Sequence, residues 1–357
     1  MLTEEEYLAI GCELRLEDVY AKIQPPDSVD SPGIHRPVDY CAGANTDHWN
    51  KERGPRLEKV VYVNDIDHAE ALQKVCNTEG EIDIVSEVSP EDAAKVVDSE
   101  HANLITIDAL RVVSHQPQRR VDGRRARTQG AQPRCGPRPH HNEVFRGYAH
   151  PVAALAPPYS GGAPDGLEPY PHDPEEAKRL LSEAGWQEGR ALRLACTSDV
   201  TALAERLAGD FRDSLGIEVE AIDIPDEDLI AAQKTLIEKN LPLPFDVLVH
   251  AWFDLAAGYP PAVIHREYFH SLGAFRAGPP VPEFEDLMAR SVVETDAEKL
   301  TELGKQIDRL VYDEALSVFL CCPMALVAVN RYVEFTGHVA TLELAETEVA
   351  EEHWSRR

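Results

Sequence analysis

The chain has 357 residues, 43% hydrophobic and 27% charged, with a formal net charge of −28. That length is enough for two lobes with separate cores, and the acidity excludes a protein that tracks nucleic acid, which needs a positive footprint. The seven cysteines include no C-x-x-C pair and no zinc spacing, so neither a disulfide framework nor a metal site is expected. No G-x-S-x-G, H-E-x-x-H or phosphate loop occurs; no catalytic residue and no cofactor are assigned, and a hydrolase is the weakest reading.

Residues 4–20 fit a helix, and little else is legible before residue 44. P-R-L-E-K-V-V-Y-V at 55–63 reads as a strand dominated by Val60, Val61 and Val63. A helix follows over 68–76, and G-E-I-D-I-V at 80–85 leads into a strand. Ser89 with Pro90 behind it is the signature of a helix start. Leu104, Ile105 and Ile107 form another strand.

The composition then breaks. Residues 115–142 contain no Leu, Ile, Phe, Tyr, Trp or Met, yet hold seven Arg. Such a block can be read as a basic arm or as a linker too polar to pack. A third reading is that it is translated out of frame. Shifted forward by one base, Gln116 becomes Asn or Ser and Gln129 becomes Lys or Arg. The whole block can then be read I-N-L-N-V-A-W-M-D-D-V-R-A-R-K-A-L-N-L-A-V-D-R-D-L-I-I, an amphipathic helix. As it stands it has no apolar face to offset the entropy of ordering, and it is expected to be disordered.

Regular signals return at Glu143. Pro151, Pro157, Pro158, Gly161, Gly162 and Pro164 forbid helix or strand and make a loop. It feeds a helix with both ends written in: Asp173 as cap, Pro174 at the first position, Glu176 at capping-box spacing, and Gly185 as the left-handed stop. Ala177, Leu180, Leu181 and Ala184 form its apolar stripe. Leu192–Cys196 is a strand. Val200, Leu203, Leu207, Phe211 and Leu215 form a helical stripe closed by Gly216. A strand at 217–224, a helix at 226–239 and a buried strand at 245–251 follow. Strands spaced by single helices imply a mainly parallel sheet. His250, His265 and His270 match no metal spacing and read as exposed loop histidines. Two helices are expected at 282–293 and 296–313. Cys321 and Cys322 lie in an apolar run, 315–329, that Pro323 breaks and that is too short to span a bilayer.

The order of the parts G-Y-A-x-P, Pro/Gly loop and Y-P-x-D-P-E-E-A-K-R-L-L-x-E-A-G-W at 147–186 resembles the extracytoplasmic solute-binding proteins of ABC importers. The subfamily is family 5, which captures peptides, dipeptides, nickel chelates and some sugars. The resemblance covers 45–112 and 143–357, with N-T-D-H-W at 45–49 and G-E-I-D at 80–83 in their family order. Family members carry a stretch like Asp-Val-Arg-x-Arg-x-Ala-Leu-Asn-x-Ala-x-Asp-Arg directly before V-F-R-G-Y-A, and the shifted frame restores one there.

The resemblance implies an α/β fold, a two-lobed periplasmic-binding-protein-like clamp of type II whose first lobe is incomplete. Residues 1–44 would be a remnant of that lobe, 45–112 its body, 113–323 the second lobe with 115–142 out of frame, and 324–357 the return. It implies a monomer that captures a peptide-like or other small solute and delivers it to an ABC permease, with no nucleic-acid partner. The place is periplasmic or extracellular and membrane-associated. The N-terminus MLTEEEYLAIG puts acids where a signal peptide needs bases, so the chain is expected to lack its natural beginning. The implied ligand-binding residues are Trp252, Asp254, Tyr259, Ser271 and Phe275. In peptide-binding relatives an Asp three residues after the Trp pairs with the peptide amine; here Asp254 stands two residues after Trp252, and Ala256, Ala257 and Gly258 follow. The alternative is an inactive remnant that binds nothing.

Overall fold

The computed structural model describes residues 40–44, 56–64, 66–77, 80–117, 139–183, 186, 189–239, 245–253, 263–275, 280–338 and 343–357. The expectations for 4–20, N-T-D-H-W, Ala184, Gly185, Asp254, Tyr259 and 118–138 of the Arg-rich block lie outside the described residues. Contacts divide the chain into two compact units, residues 1–42 with 59–66, and residues 43–58 with 67–357. The smaller unit holds most of a two-stranded sheet made by Tyr40–Gly43 (β1) and Lys59–Tyr62 (β2).

The larger unit is built on two main sheets. Ile84–Val85 (β3), Ala102–Ile107 (β4) and Ala325–Asn330 (β11) make one, in the order β3-β11-β4 and antiparallel throughout. The other has six strands: Arg111–Pro117 (β5), Ala149–Pro151 (β6), Leu192–Cys196 (β7), Val219–Asp223 (β8), Val247–Phe253 (β9) and Val318–Pro323 (β10). Their order is β6-β10-β5-β9-β7-β8. Val333–Glu334 (β12) and Glu348–Val349 (β13) form a separate pair.

Alternation along the strands sends successive side chains to opposite faces of the six-stranded sheet. Val112, Ala195, Leu248, Phe319 and Cys322 join one core, closed by Phe284, Met288, Ile307 and Val311 of the helices Pro282–Val293 and Ala297–Asp313. Val113, Leu194, Cys196, Val249 and Cys321 join the other, closed by Leu203, Ala204 and Leu207 of the helix Thr201–Leu215. A sheet covered on both faces needs the near-continuous apolar strands seen here. Adjacent Cys321 and Cys322 therefore point apart, and both are fully buried, as the apolar run implied.

Most helix ends follow their local chemistry. Asp173 Oδ1 accepts the Glu176 N–H at 3.0 Å, and the helix runs Pro174–Glu183. Its apolar stripe is only partly buried, with Leu181 and the following Trp186 against the second core. Thr201–Leu215 ends at Gly216, whose φ of 69° is the left-handed conformation that lets its N–H reach Arg212 O at 3.0 Å.

Ser89 opens its helix as expected: its Oγ accepts the Asp92 N–H and its carbonyl accepts the Ala93 N–H, each at 3.1 Å, so 89–92 is the entering turn and the regular helix runs Ala93–Val97. Two expectations are corrected. The six-stranded sheet is mixed: β7/β8 and β7/β9 are parallel, whereas β5/β9, β10/β5 and β10/β6 are antiparallel. The chain enters by β5 and leaves by β10 at the same edge, and that fixes their directions. The Arg-rich block is also shorter than its composition suggests, since β5 continues to Pro117 and His141–Val144 forms one helical turn.

Candidate functional site

The strand directions place one edge of the six-stranded sheet apart from the rest. The carboxyl ends of β7, β8, β9 and β10 lie there with the amino ends of β5 and β6. Both links to the three-stranded sheet leave from it, residues 108–110 between β4 and β5 and Met324 between β10 and β11. β8 and β9 flank β7 on opposite sides. The helix Thr201–Leu215 from β7 to β8 packs on one face, and Leu229 of the helix Asp226–Lys239, leading to β9, packs on the other. In open α/β sheets ligands sit at such a reversal, beyond the strands' carboxyl ends. Here that point falls between residues 197–199 after β7 and residues 252–253 at the end of β9.

Two groups line it. Arg111, the first residue of β5, is opposite Phe253 in the ladder, and its Nη2 pairs with Asp199 Oδ2 of the 3-10 turn Ser198–Val200. Behind it, His250 of β9 is 2% exposed, with its Nε2 2.7 Å from the Tyr268 hydroxyl. The Phe275 ring stacks on His250 at 5.3 Å and on Tyr268 at 5.4 Å. Burial pulls the His250 pKa down to about 4 against a smaller upward pull from the Asp199 charge, and burial pushes the Tyr268 hydroxyl well up. The two rings share their hydrogen bond as neutral groups, which is how a polar strand residue survives in a core.

The first link is held by a second cluster. The Tyr159 hydroxyl and the Cys322 thiol both donate to Ala109 O, the thiol at 2.9 Å, and the hydroxyl is 3.0 Å from Cys322 Sγ. Burial pushes the Cys322 thiol up to about 11. His150 Nε2 lies 2.7 Å from Asp108 Oδ1, and Met324 N donates to Tyr148 O at 2.9 Å. The Pro/Gly loop thus reaches the first link, and Tyr148, just before β6, reaches the second. Tyr159→Phe is expected to cost about 1 kcal/mol in urea denaturation, the net worth of one hydrogen bond. The loss stays small because Ala109 O keeps the thiol donor; a loss several times larger would mean that the hydroxyl alone holds the link.

Of the implied ligand residues, Trp252 lies on β9 at the reversal, paired in register with Val112. Phe275 is buried in the first core, and Ser271 donates through its N–H and hydroxyl to Glu285 at 2.7 and 3.0 Å. The expectation of exposed histidines is corrected: His250 and His265 are each 2% exposed, and His265 Nε2 faces Asp308 at 2.9 Å. Sequence reading missed Arg111, Asp199, Asp308, Tyr159 and the role of Cys322. Asp199 alone carried a signal, as an acid just past a strand's carboxyl end. No helix among the described residues is long and apolar enough to cross a membrane.

Residues 141–266 match the sequence model of bacterial extracellular solute-binding proteins, family 5, in its middle segment. The chain is 30% identical over 148 residues to the di/tripeptide-binding protein 2 of Pseudomonas aeruginosa (strain UCBPP-PA14), an overlap of 40% of this chain and 26% of that protein. It shares its fold with the ABC transporter substrate-binding protein CtaP of Listeria monocytogenes, at a TM-score of 0.68 and 18% identity over 83% of this chain and 61% of that one. A dipeptide-binding protein from Pseudoalteromonas sp. SM9913, in complex with Met-Leu, matches at a TM-score of 0.66 and 16% identity over 88% and 62% of the two chains. These matches bear out the resemblance read from 147–186 and the α/β fold of the type II binding proteins. The chain spans about a quarter of the curated relative and three-fifths of the two structures.

Proposed function

We propose that this chain, whose residues 141–266 match the middle-segment model of family 5 bacterial extracellular solute-binding proteins, is the substrate-binding component of an ABC importer. It takes a peptide-like or other small solute outside the cytoplasmic membrane and hands it to a permease, with no chemistry of its own. The observation that supports this most is the reversal between β7 and β9, which falls at the same edge as both inter-sheet links. A ligand bound there touches the segments whose rotation would close one sheet on the other.

In this reading Trp252, Asp254, Tyr259, Ser271 and Phe275 form the ligand-binding set. An aromatic at the end of β9 stacks on a flat or apolar solute and dominates the affinity. Trp252→Ala therefore weakens binding by roughly 2 kcal/mol, the scale of an interface hot spot. Asp254→Asn matters only for cationic solutes, because an uncharged one makes no ion pair to lose. The test is native mass spectrometry of the full chain with a dipeptide mixture, followed by fluorescence titration of each retained species. Unchanged affinity with a lowered melting temperature in Trp252→Ala would make that residue core. Retention of nothing would leave the chain a remnant that does not bind.

A further inference from the structure

We infer that Asp199 is a built-in stand-in for the ligand: the solute carries a carboxylate, which displaces Asp199 from the Arg111 guanidinium at the carboxyl edge of the six-stranded sheet. The inference rests on the solute-binding reading and adds the chemistry of the solute. Its first support is position. Arg111 begins β5 and Asp199 follows β7, so their ion pair joins two strands that are not neighbours, with β9 between them. The pair therefore spans the reversal at which a ligand of an open α/β sheet sits.

The second support is exposure set against strength. The Arg111 and Asp199 side chains are 42% and 37% exposed, so a solute reaches them from water. Exposed ion pairs contribute little to a fold, and opening this one costs little. A guanidinium, however, offers a planar fork that holds a carboxylate through two parallel hydrogen bonds. The bond to Asp199 engages Nη2.

The third support decides which partner yields. Arg111 is anchored in the sheet, opposite Phe253, and its backbone N–H also faces the buried Cys322 thiol. Asp199 sits on a single 3-10 turn, which moves more easily than a central strand. A formal charge of −28 repels anions from the molecule as a whole. A fixed cation at the reversal offsets that repulsion locally, and Asp199 keeps it occupied until a better-placed carboxylate arrives.

The test uses the full chain and three probes: dipeptides as free acids, the same dipeptides as C-terminal amides, and acetate. Acetate separates recognition of any carboxylate from that of a peptide terminus, and native mass spectrometry with fluorescence titration reads the binding. The wild type retains acids over amides. Asp199→Asn tightens the acids by about tenfold and changes the amides by less than about twofold, because the internal competitor is gone. Arg111→Ala abolishes the preference for acids. Arg111→Lys, which keeps the charge without the fork, restores part of it and guards against misfolding of the alanine variant. A merely structural ion pair predicts the reverse for Asp199→Asn: a lower melting temperature and no gain in affinity. Equal binding of acids and amides, or weaker acid binding in Asp199→Asn, overturns the inference alone. Retention of no dipeptide by either protein overturns the solute-binding reading and this inference with it.

Discussion

Replacing Asp308 by alanine is expected to destabilise the larger unit by about 3–5 kcal/mol, since a buried acceptor facing three donors is lost and each stranded donor costs about 1–3 kcal/mol. Asp308 is 1% exposed on the helix Ala297–Asp313. Its carboxylate accepts the backbone N–H groups of Leu155 and Ala156, each at 3.2 Å, and faces His265 Nε2 at 2.9 Å. Truncation leaves all these donors in the interior without an acceptor, and each then bears its desolvation cost. The other ring nitrogen of His265, Nδ1, has no hydrogen-bond partner, so the imidazole has nothing to fall back on. Asp308→Asn keeps one acceptor oxygen but turns an N–H toward the site, and should fall between wild type and alanine. Urea denaturation of the three proteins gives the order directly, and a loss below about 1 kcal/mol in the alanine variant would mean that the loop finds other acceptors. Leu155 and Ala156 belong to the loop that carries Tyr159 to the first inter-sheet link. The alanine variant should accordingly be nicked by protease within 151–164 before wild type is.

Acidification is expected to remove about 3 kcal/mol of stability through His250 alone, at 1.36 kcal/mol for each unit of pKa difference. In the unfolded chain this imidazole takes up its proton as the pH falls through its ordinary 6.5, whereas in the folded protein burial delays protonation to about 4. Within that window acid favours the unfolded chain. Above 6.5 the contribution is whole; below about 4 both forms are protonated and no more is lost. Carboxylates titrate over part of the same range, so the measurement is a difference. His250→Gln and wild type are denatured in urea at pH 7 and pH 4.5, and the variant should lose clearly less between the two. Equal losses would show that His250 becomes charged in the folded state without cost. The consequence reaches the candidate site, because the neutral His250–Tyr268 bond and the Phe275 stack support the strand that carries Trp252.

Local chemistry was legible in the sequence because it is decided within a few residues. Asp173 caps its helix through the Glu176 N–H, and Gly216 stops another. The apolar strands and the buried cysteines followed from alternation and composition. Ser89 likewise caps, through the Asp92 N–H at 3.1 Å, the turn that opens the helix Ala93–Val97. Nothing in the period of a strand says which strand lies beside it. The order β6-β10-β5-β9-β7-β8, and with it the reversal that positions the candidate site, emerges only when the two links have to leave from one edge. The histidines were misread for the same reason: a polar ring looks exposed until its partner is known. His250 finds Tyr268 18 residues away and His265 finds Asp308 43 residues away. Arg111 and Asp199 are 88 residues apart, and Tyr159 and Cys322 163 apart. At such separations pairing is fixed by strand order and register, which depend on the whole chain's packing and not on any local pattern.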